Sequence, residues 1–130
     1  MSEFSKSLSV ATSGLQAQAQ RLRHLSENIS NADTPGYRRK TVQFKTEFGA
    51  GDGAAEVRTG KVNLDRTDLE RIFDPSHPMA DDTGHFDGSN VNLLIELTDA
   101  REAQRSYEAN LKMFEQTRKM SSGLMDLLRR

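Results

Sequence analysis

Three groups of residues in this 130-residue chain have side chains able to do chemistry. His77, Asp81 and His85 recur every four positions, a spacing that on a helix presents three metal ligands on one face. Pro78 and Gly84 stand inside that span and deny it a helix, so an ordered loop without a metal is expected. Arg38-Arg39-Lys40 sets three cations side by side, as phosphate contacts require. Only Tyr37 accompanies them and the formal net charge is -1, which favours a solvated turn or an intersubunit contact over nucleic acid. The run from Gly49 to Gly53 has the glycines of a phosphate loop, but lacks the Lys-Ser/Thr that would follow and a strong strand before it and a helix after it. There is no nucleophile elbow and no His-Glu-x-x-His, and the absence of cysteine removes thiolate catalysis, disulfides and Cys-ligated zinc. The expectation is therefore no enzyme, no cofactor, no metal, no nucleic-acid partner and no small-molecule substrate.

The totals argue against a large private core. Hydrophobic residues make up 35% and aromatic residues 6%, with no Trp, and mean hydropathy is -0.71. That composition suits long helices that bury one stripe, or a subunit that completes its core with neighbours. Acidic residues concentrate in the middle: residues 41–90 hold five Lys/Arg against ten Asp/Glu, whereas residues 1–40 hold six against three. Neither a secretory signal nor a membrane span is expected, because no basic run precedes an apolar one and nowhere do about 18 apolar residues follow one another.

Apolar residues at Phe4, Leu8, Ala11, Leu15, Leu22, Leu25 and Ile29 step by four and three, with Gln18 breaking the series. This is a heptad pattern and predicts a helix about 40 Å long, capped at Ser2 or Ser5. Gly14 inside it is expected to admit a close helix neighbour. The run Asn28-Ile29-Ser30-Asn31-Ala32-Asp33-Thr34-Pro35-Gly36-Tyr37 must end the helix, because Pro35 forbids helix at Thr34 and Gly36 permits a positive φ. Val42, Phe44, Thr46 and Phe48 then alternate as a half-buried strand would, the glycine-rich run forms a loop, and Val57, Val62 and Leu64 suggest one or two short strands with a turn near Thr59-Gly60. Ile72 to Pro78 reads as an ordered loop and Asp81 to Gly88 as turns or a hairpin tip. A second helix, capped at Ser89 or Asn90, runs toward Arg130 over nearly 60 Å, with Leu93, Leu97, Ala100, Gln104, Tyr107, Leu111 and Phe114 on one stripe. After Phe114 the stripe shifts to Met113, Met120, Leu124 and Leu127, which implies a change of partner face. The fold expected is mainly α: long N- and C-terminal helices pairing as an antiparallel coiled-coil-like hairpin, with a small irregular β-containing insert between them.

Ser13-Gly14-Leu15-Gln16-Ala17-Gln18, then Arg21-Leu22, then Asn28 to Arg38 together resemble the N-terminal signature of the flagellar rod, hook and hook-associated family. Asp74-Pro75-Ser76-His77-Pro78-Met79-Ala80-Asp81, Asn90-Val91-Asn92 and Arg105-Ser106-Tyr107-Glu108-Ala109-Asn110 extend the resemblance over the whole chain, and the short length fits a rod subunit. The resemblance implies an inner layer made of the helix and turn in 1–40 and the helix in 90–130, with 41–89 as the β-containing insert. It implies a subunit of the proximal rod of the flagellar basal body, spanning the periplasm, that polymerises helically and carries torque from motor to hook. The partners implied are other rod proteins, proximal and distal, the protein joining the rod to the MS ring, and the type III export apparatus in transit, without insertion into a membrane. Phe4 and Leu8 form a candidate export-gate element, although they also lie on the heptad stripe. The candidate assembly turn comprises Asn28, Asn31, Thr34, Pro35, Gly36 and Tyr37, and the candidate helix seam and interface Leu15, Leu22, Leu25, Ile29, Leu97, Tyr107, Leu111 and Phe114.

Two other readings compete with the rod: a soluble coiled-coil adaptor that binds one partner in the cytoplasm, and, more weakly, a basic-region nucleic-acid binder. The rod reading expects the isolated chain to be a monomer whose termini are largely disordered and order only on assembly. A stable, fully helical dimer in analytical ultracentrifugation and circular dichroism would favour the adaptor, and salt-dependent binding to random duplex DNA would revive the third reading.

Overall fold

The computed structural model describes residues 3–49 and 54–129. In chain order it contains α1 (Glu3–Ser30), β1 (Lys40–Phe48), β2 (Ala55–Leu64), β3 (Arg71–Phe73), β4 (His85–Asp87) and α2 (Leu93–Leu128). Two helices, N- and C-terminal, thus enclose a small insert of two antiparallel two-stranded sheets, β1-β2 and β3-β4. The cap expected at Ser2 and the glycine-rich residues 50–53 fall outside the described residues, and Ser5 lies within α1.

With 28 and 36 residues, the helices are about 42 and 54 Å long. α1 ends where its sequence turns polar. The Asn31 amide donates back to the Glu27 carbonyl at 2.8 Å, and Gly36 adopts φ 75°, a conformation without strain only for glycine. α2 begins later than Ser89 or Asn90. Its N-cap is Asn92, whose side chain accepts from the backbone N–H groups of Leu94 and Ile95. Ser89 donates to the Ala32 carbonyl and accepts from the Val91 N–H at 3.3 Å, and Asn90 Oδ1 accepts from the Arg39 N–H, so both side chains are committed to the junction ahead of the helix.

The helices pack directly on each other. Asn28 meets Glu96, Arg21 meets Glu102 and Gly14 meets Asn110, so the contacts climb α2 as they descend α1. A Cβ on Gly14 would stand 3.0 Å from the Asn110 side chain, which is why glycine occupies that point of the helix. The β1-β2 hairpin lies against another face of α1. Ser13 Oγ accepts from the Val57 N–H at 3.0 Å, Ser9 hydrogen-bonds the Glu56 carboxylate, and Thr59 hydrogen-bonds Gln20.

The insert departs from its sequence pattern in three ways. β2 is one strand of ten residues, and the turn signal at Thr59-Gly60 marks a bulge, where the register steps from Val42–Val62 to Phe44–Thr59. β1 is not half-buried beyond Val42, because only its root meets α1 closely; Phe44 and Phe48 are exposed. Ile72 and Phe73 leave the expected loop to form β3, where Ile72 pairs with the buried Phe86.

The close approach at Gly14 yields a direct test. Gly14→Leu should lower the chain's stability to urea by about 2 kcal/mol through overpacking against Asn110. Adding Asn110→Ala should recover part of the loss; unchanged stability in the single variant would contradict the contact.

Candidate functional site

Five segments converge where α1 ends. Asn28 is fully buried and its amide uses each of its bonding positions. Its Oδ1 accepts from the Tyr37 hydroxyl at 2.8 Å and from the Lys40 N–H at 2.9 Å. Its Nδ2 donates to the Lys40 carbonyl at 2.9 Å and to Glu96 Oε2 at 3.2 Å. One side chain thereby joins the end of α1, the start of β1 and the first turns of α2. Such a group is satisfied only while all three stay in place.

Glu96 is also fully buried. Its second oxygen pairs with Arg39 Nε, and the Arg39 guanidinium also approaches Asp99 at 3.5 Å and Asp65 at 3.9 Å. Asn90 accepts from the Arg39 N–H at 2.6 Å and donates to the Asp65 carbonyl at 2.9 Å. Arg38 donates to the carbonyls of Asp65 and Thr67, and Lys40 pairs with Glu27 at 2.6 Å. Every member of the cationic run is therefore engaged by contacts within the chain.

Charges around the junction follow these contacts. The hydrogen bond from Lys40 lowers the Glu27 pKa, and the same bond raises that of Lys40. What the pair contributes is therefore present across neutral pH, and is lost as pH falls through the depressed Glu27 value or rises through the raised Lys40 value. Burial raises the Tyr37 pKa, keeping its hydroxyl a donor to Asn28. The backbone N–H of Thr67 holds the Asp65 pKa down.

The turn residues divide into two kinds. Asn28 and Tyr37 point into the junction, and Gly36 N–H donates to the carbonyls of Asp87 and Gly88, both at 3.1 Å, tying the turn to the end of β4. Thr34 bonds Asn31 at the surface, and Pro35 is half-buried beside them. Sequence reasoning missed Glu96, Arg39, Asn90 and Ser89 as members. A signal existed: Glu96, Ala103 and Asn110 recur at heptad spacing one position before Leu97, Gln104 and Leu111, which places a carboxylate in a series that faces α1.

The same one-position offset corrects the seam between the helices. The residues packed tightest are Ala11, Gly14, Ala17, Leu25 and Asn28 on α1, and Glu96 and Ala103 on α2. Leu25 alone among the eight candidate seam residues is buried. Leu15, Leu22, Ile29, Tyr107 and Phe114 are half-buried, while Leu97 and Leu111 stay 50% and 37% exposed. Advancing one residue turns about 100° around a helix, and because the two helices run in opposite directions both leucine stripes rotate to the same side of the pair. The β1-β2 hairpin, bonded through Ser9, Ser13 and Gln20, lies on the other side. The result is one apolar face built from both helices and left open by the insert. Phe4 and Leu8 are half-buried near the start of α1. On the shifted stripe of α2, Met113, Met120, Leu124 and Leu127 are exposed.

The three spaced residues of the β3-β4 loop serve that loop. The His77 ring stacks on Phe86 at 3.8 Å and its Nδ1 accepts from the Met79 N–H at 3.1 Å. His85 tilts against Phe73. Asp81 is gripped by the Thr83 hydroxyl, Arg71 and the His85 N–H, which hold its carboxyl well below the usual carboxylate range. Among the described residues no group of His, Asp and Glu is arranged to hold a metal, and no helix is long and apolar enough to cross a membrane.

Residues 8–38 match the family model described as Flagella basal body rod protein, and residues 82–127 the one described as Flagellar basal body rod FlgEFG protein C-terminal. The two matches cover α1 with its turn and most of α2, the elements that build both the junction and the open face, and they define a flagellar basal-body rod protein. The chain is 46% identical to the flagellar basal-body rod protein FlgC of Agrobacterium fabrum, over 99% of this chain and 98% of the relative. It is 31% identical to FlgC of Bacillus subtilis, over 88% and 91%, and 29% identical to FlgC of Salmonella typhimurium, over 85% and 87%. The chain belongs to the FlgC family of flagellar basal-body rod proteins.

The junction's bonding predicts a graded response. Asn28→Ala leaves the Lys40 N–H and carbonyl, the Tyr37 hydroxyl and one Glu96 oxygen short of a partner, and should destabilise the chain to urea by about 2–4 kcal/mol. Tyr37→Phe removes one of several bonds and should cost about 1 kcal/mol. Equal losses would mean that Asn28 does not hold the elements together.

Proposed function

We infer that this chain is a structural subunit of the flagellar basal-body rod, and that it acts by polymerising and not by catalysis. The observation carrying this reading is the apolar face formed jointly by Leu15, Leu22, Ile29, Leu97 and Leu111, left uncovered by the chain's own insert. Burying such a face against neighbours is the normal fate of a contiguous apolar surface. A heterologous contact that does not close then builds a helix of subunits instead of a ring.

In this reading residues 1–40 and 90–130 form the inner layer, an antiparallel coiled-coil-like hairpin, and residues 41–89 fill the space outside it. The opposite order of the facing pairs, Asn28 with Glu96 and Gly14 with Asn110, supports the hairpin. The subunit belongs to the proximal rod, crosses the periplasm as part of a shaft that carries torque from motor to hook, and meets other rod proteins and the protein joining the rod to the MS ring. It travels there through the type III export apparatus, for which Phe4 and Leu8 are the candidate gate element. The assembly turn, Asn28 to Tyr37, holds the insert at a fixed angle to the inner layer, so that subunits meet in one geometry.

Two variants separate assembly from folding. Leu97→Glu with Leu111→Glu changes exposed positions and should leave expression and secretion near the parent level, while the chain disappears from purified basal bodies and cells stop swimming. Gly36→Val, which forces a β-branched residue to φ 75°, should have the same outcome through the turn. Normal swimming by the double-glutamate strain would remove the open face as the assembly surface.

A further inference from the structure

We propose that the buried Glu96–Arg39 pair, completed by Asn28, sets the axial register of α2 on α1. Beyond the Gly14–Asn110 contact, the small residues along the seam do not by themselves choose a register. Ala11, Gly14 and Ala17 recur every three residues on α1, and Ala100, Ala103 and Ser106 do so on α2. In the observed register the two series are offset, because Gly14 faces Asn110 and Arg21 faces Glu102; sliding α2 by one turn, about 5.4 Å, would set Gly14 opposite Ser106 and Ala17 opposite Ala103, so the packing of small residues admits that second position. The Arg21–Glu102 pair, at 3.6 Å with its carboxylate exposed, adds little.

The carboxylate of Glu96 does distinguish them. It is fully buried, and its two oxygens are held by Asn28 Nδ2 and Arg39 Nε. A one-turn slip would carry the charge away from both donors while leaving it inside the protein, an arrangement that buried charges do not tolerate. Arg39 cannot follow, because its N–H is fixed by Asn90 and its guanidinium is anchored near Asp65 and Asp99. A polar group within an otherwise permissive helix interface is an effective way to specify alignment. The root of the insert thus dictates where α2 sits along α1. The far end of the molecule inherits the decision: α2 continues beyond Thr117, which shares a groove with Glu3, and exposes Leu124, Leu127 and Leu128, so the overhang of that apolar tail is fixed some 30 residues from the ion pair. Asn28, Arg39 and Glu96 are positioning residues. The inference concerns contacts within one chain and does not depend on what the chain assembles with.

The absence of cysteine makes the test direct. Cysteines at Arg21 and Glu102 report the observed register; Arg21 with Thr98, or Arg21 with Ser106, reports a slip of one turn either way. Each pair is treated in cells with a short bis-maleimide and the intramolecular product is measured by gel shift and mass spectrometry. In the parent chain the 21–102 product should exceed either slipped product roughly tenfold. Arg39→Met with Glu96→Leu removes both charges at once, which leaves no unpaired ion to unfold the chain, and should bring a slipped product to within about threefold of the 21–102 product. Arg39→Lys, which keeps the charge, should retain the 21–102 product as dominant. The proposal is overturned if the paired variant keeps the parent ratio, if it loses the 21–102 product with no gain at 98 or 106, or if Arg39→Lys slips.

Discussion

The bond network of Asn28 is the constraint on which the rest of the structure depends. A buried amide must satisfy both its oxygen and its nitrogen, and here the partners are Tyr37, both backbone groups of Lys40, and Glu96. The partners come from the turn, from β1 and from α2, so helix ending, insert direction and helix pairing are fixed by one side chain. Glu96 then demands Arg39, and Arg39 draws in Asp65, Asp99 and Asn90. The run of cations after the turn, which on the page of the sequence resembles a surface patch, is spent in neutralising and orienting this interior.

A second consequence is the division of labour between two stripes on each helix. Small and polar residues, among them Ala11, Gly14, Ala17 and Ala103, occupy much of the line of closest contact, and at Gly14 there is no room for a Cβ. The larger side chains are displaced by one position and turn together to the side away from the β1-β2 hairpin. A self-contained helix pair would put its leucines in the seam. Here Leu25 alone among the candidate seam leucines is buried, and Leu97 and Leu111 stay exposed, which fits the low hydrophobic content of 35%.

Much of the architecture was legible from local chemistry. Pro35 and Gly36 ended α1 where expected, and the change from heptad spacing to alternation at Thr41 located the first strand. The insert was less readable. Gly60 signals a turn and a bulge equally well until the register of the partner strand is known. Ile72 and Phe73 look like a loop anchor because three residues are too few to show a period, and only pairing with His85 and Phe86 makes them a strand. Ser89, Asn90 and Asn92 are all acceptable caps, and the choice fell to Asn92 because the junction had engaged the other two.

The sequence by itself determined two long amphipathic helices, the polar turn between the first and its insert, and the family resemblance that Ser13 to Arg38 carries. Tertiary structure alone decided which line along each helix became the seam. Periodicity specifies spacing along a helix, yet its leucine line and its glycine-alanine line share the same period and differ only by a rotation of about 100°. The rotation was settled by contacts distant in sequence, above all the fully buried Asn28 and Glu96, whose polar atoms could find partners only with the small residues facing inward.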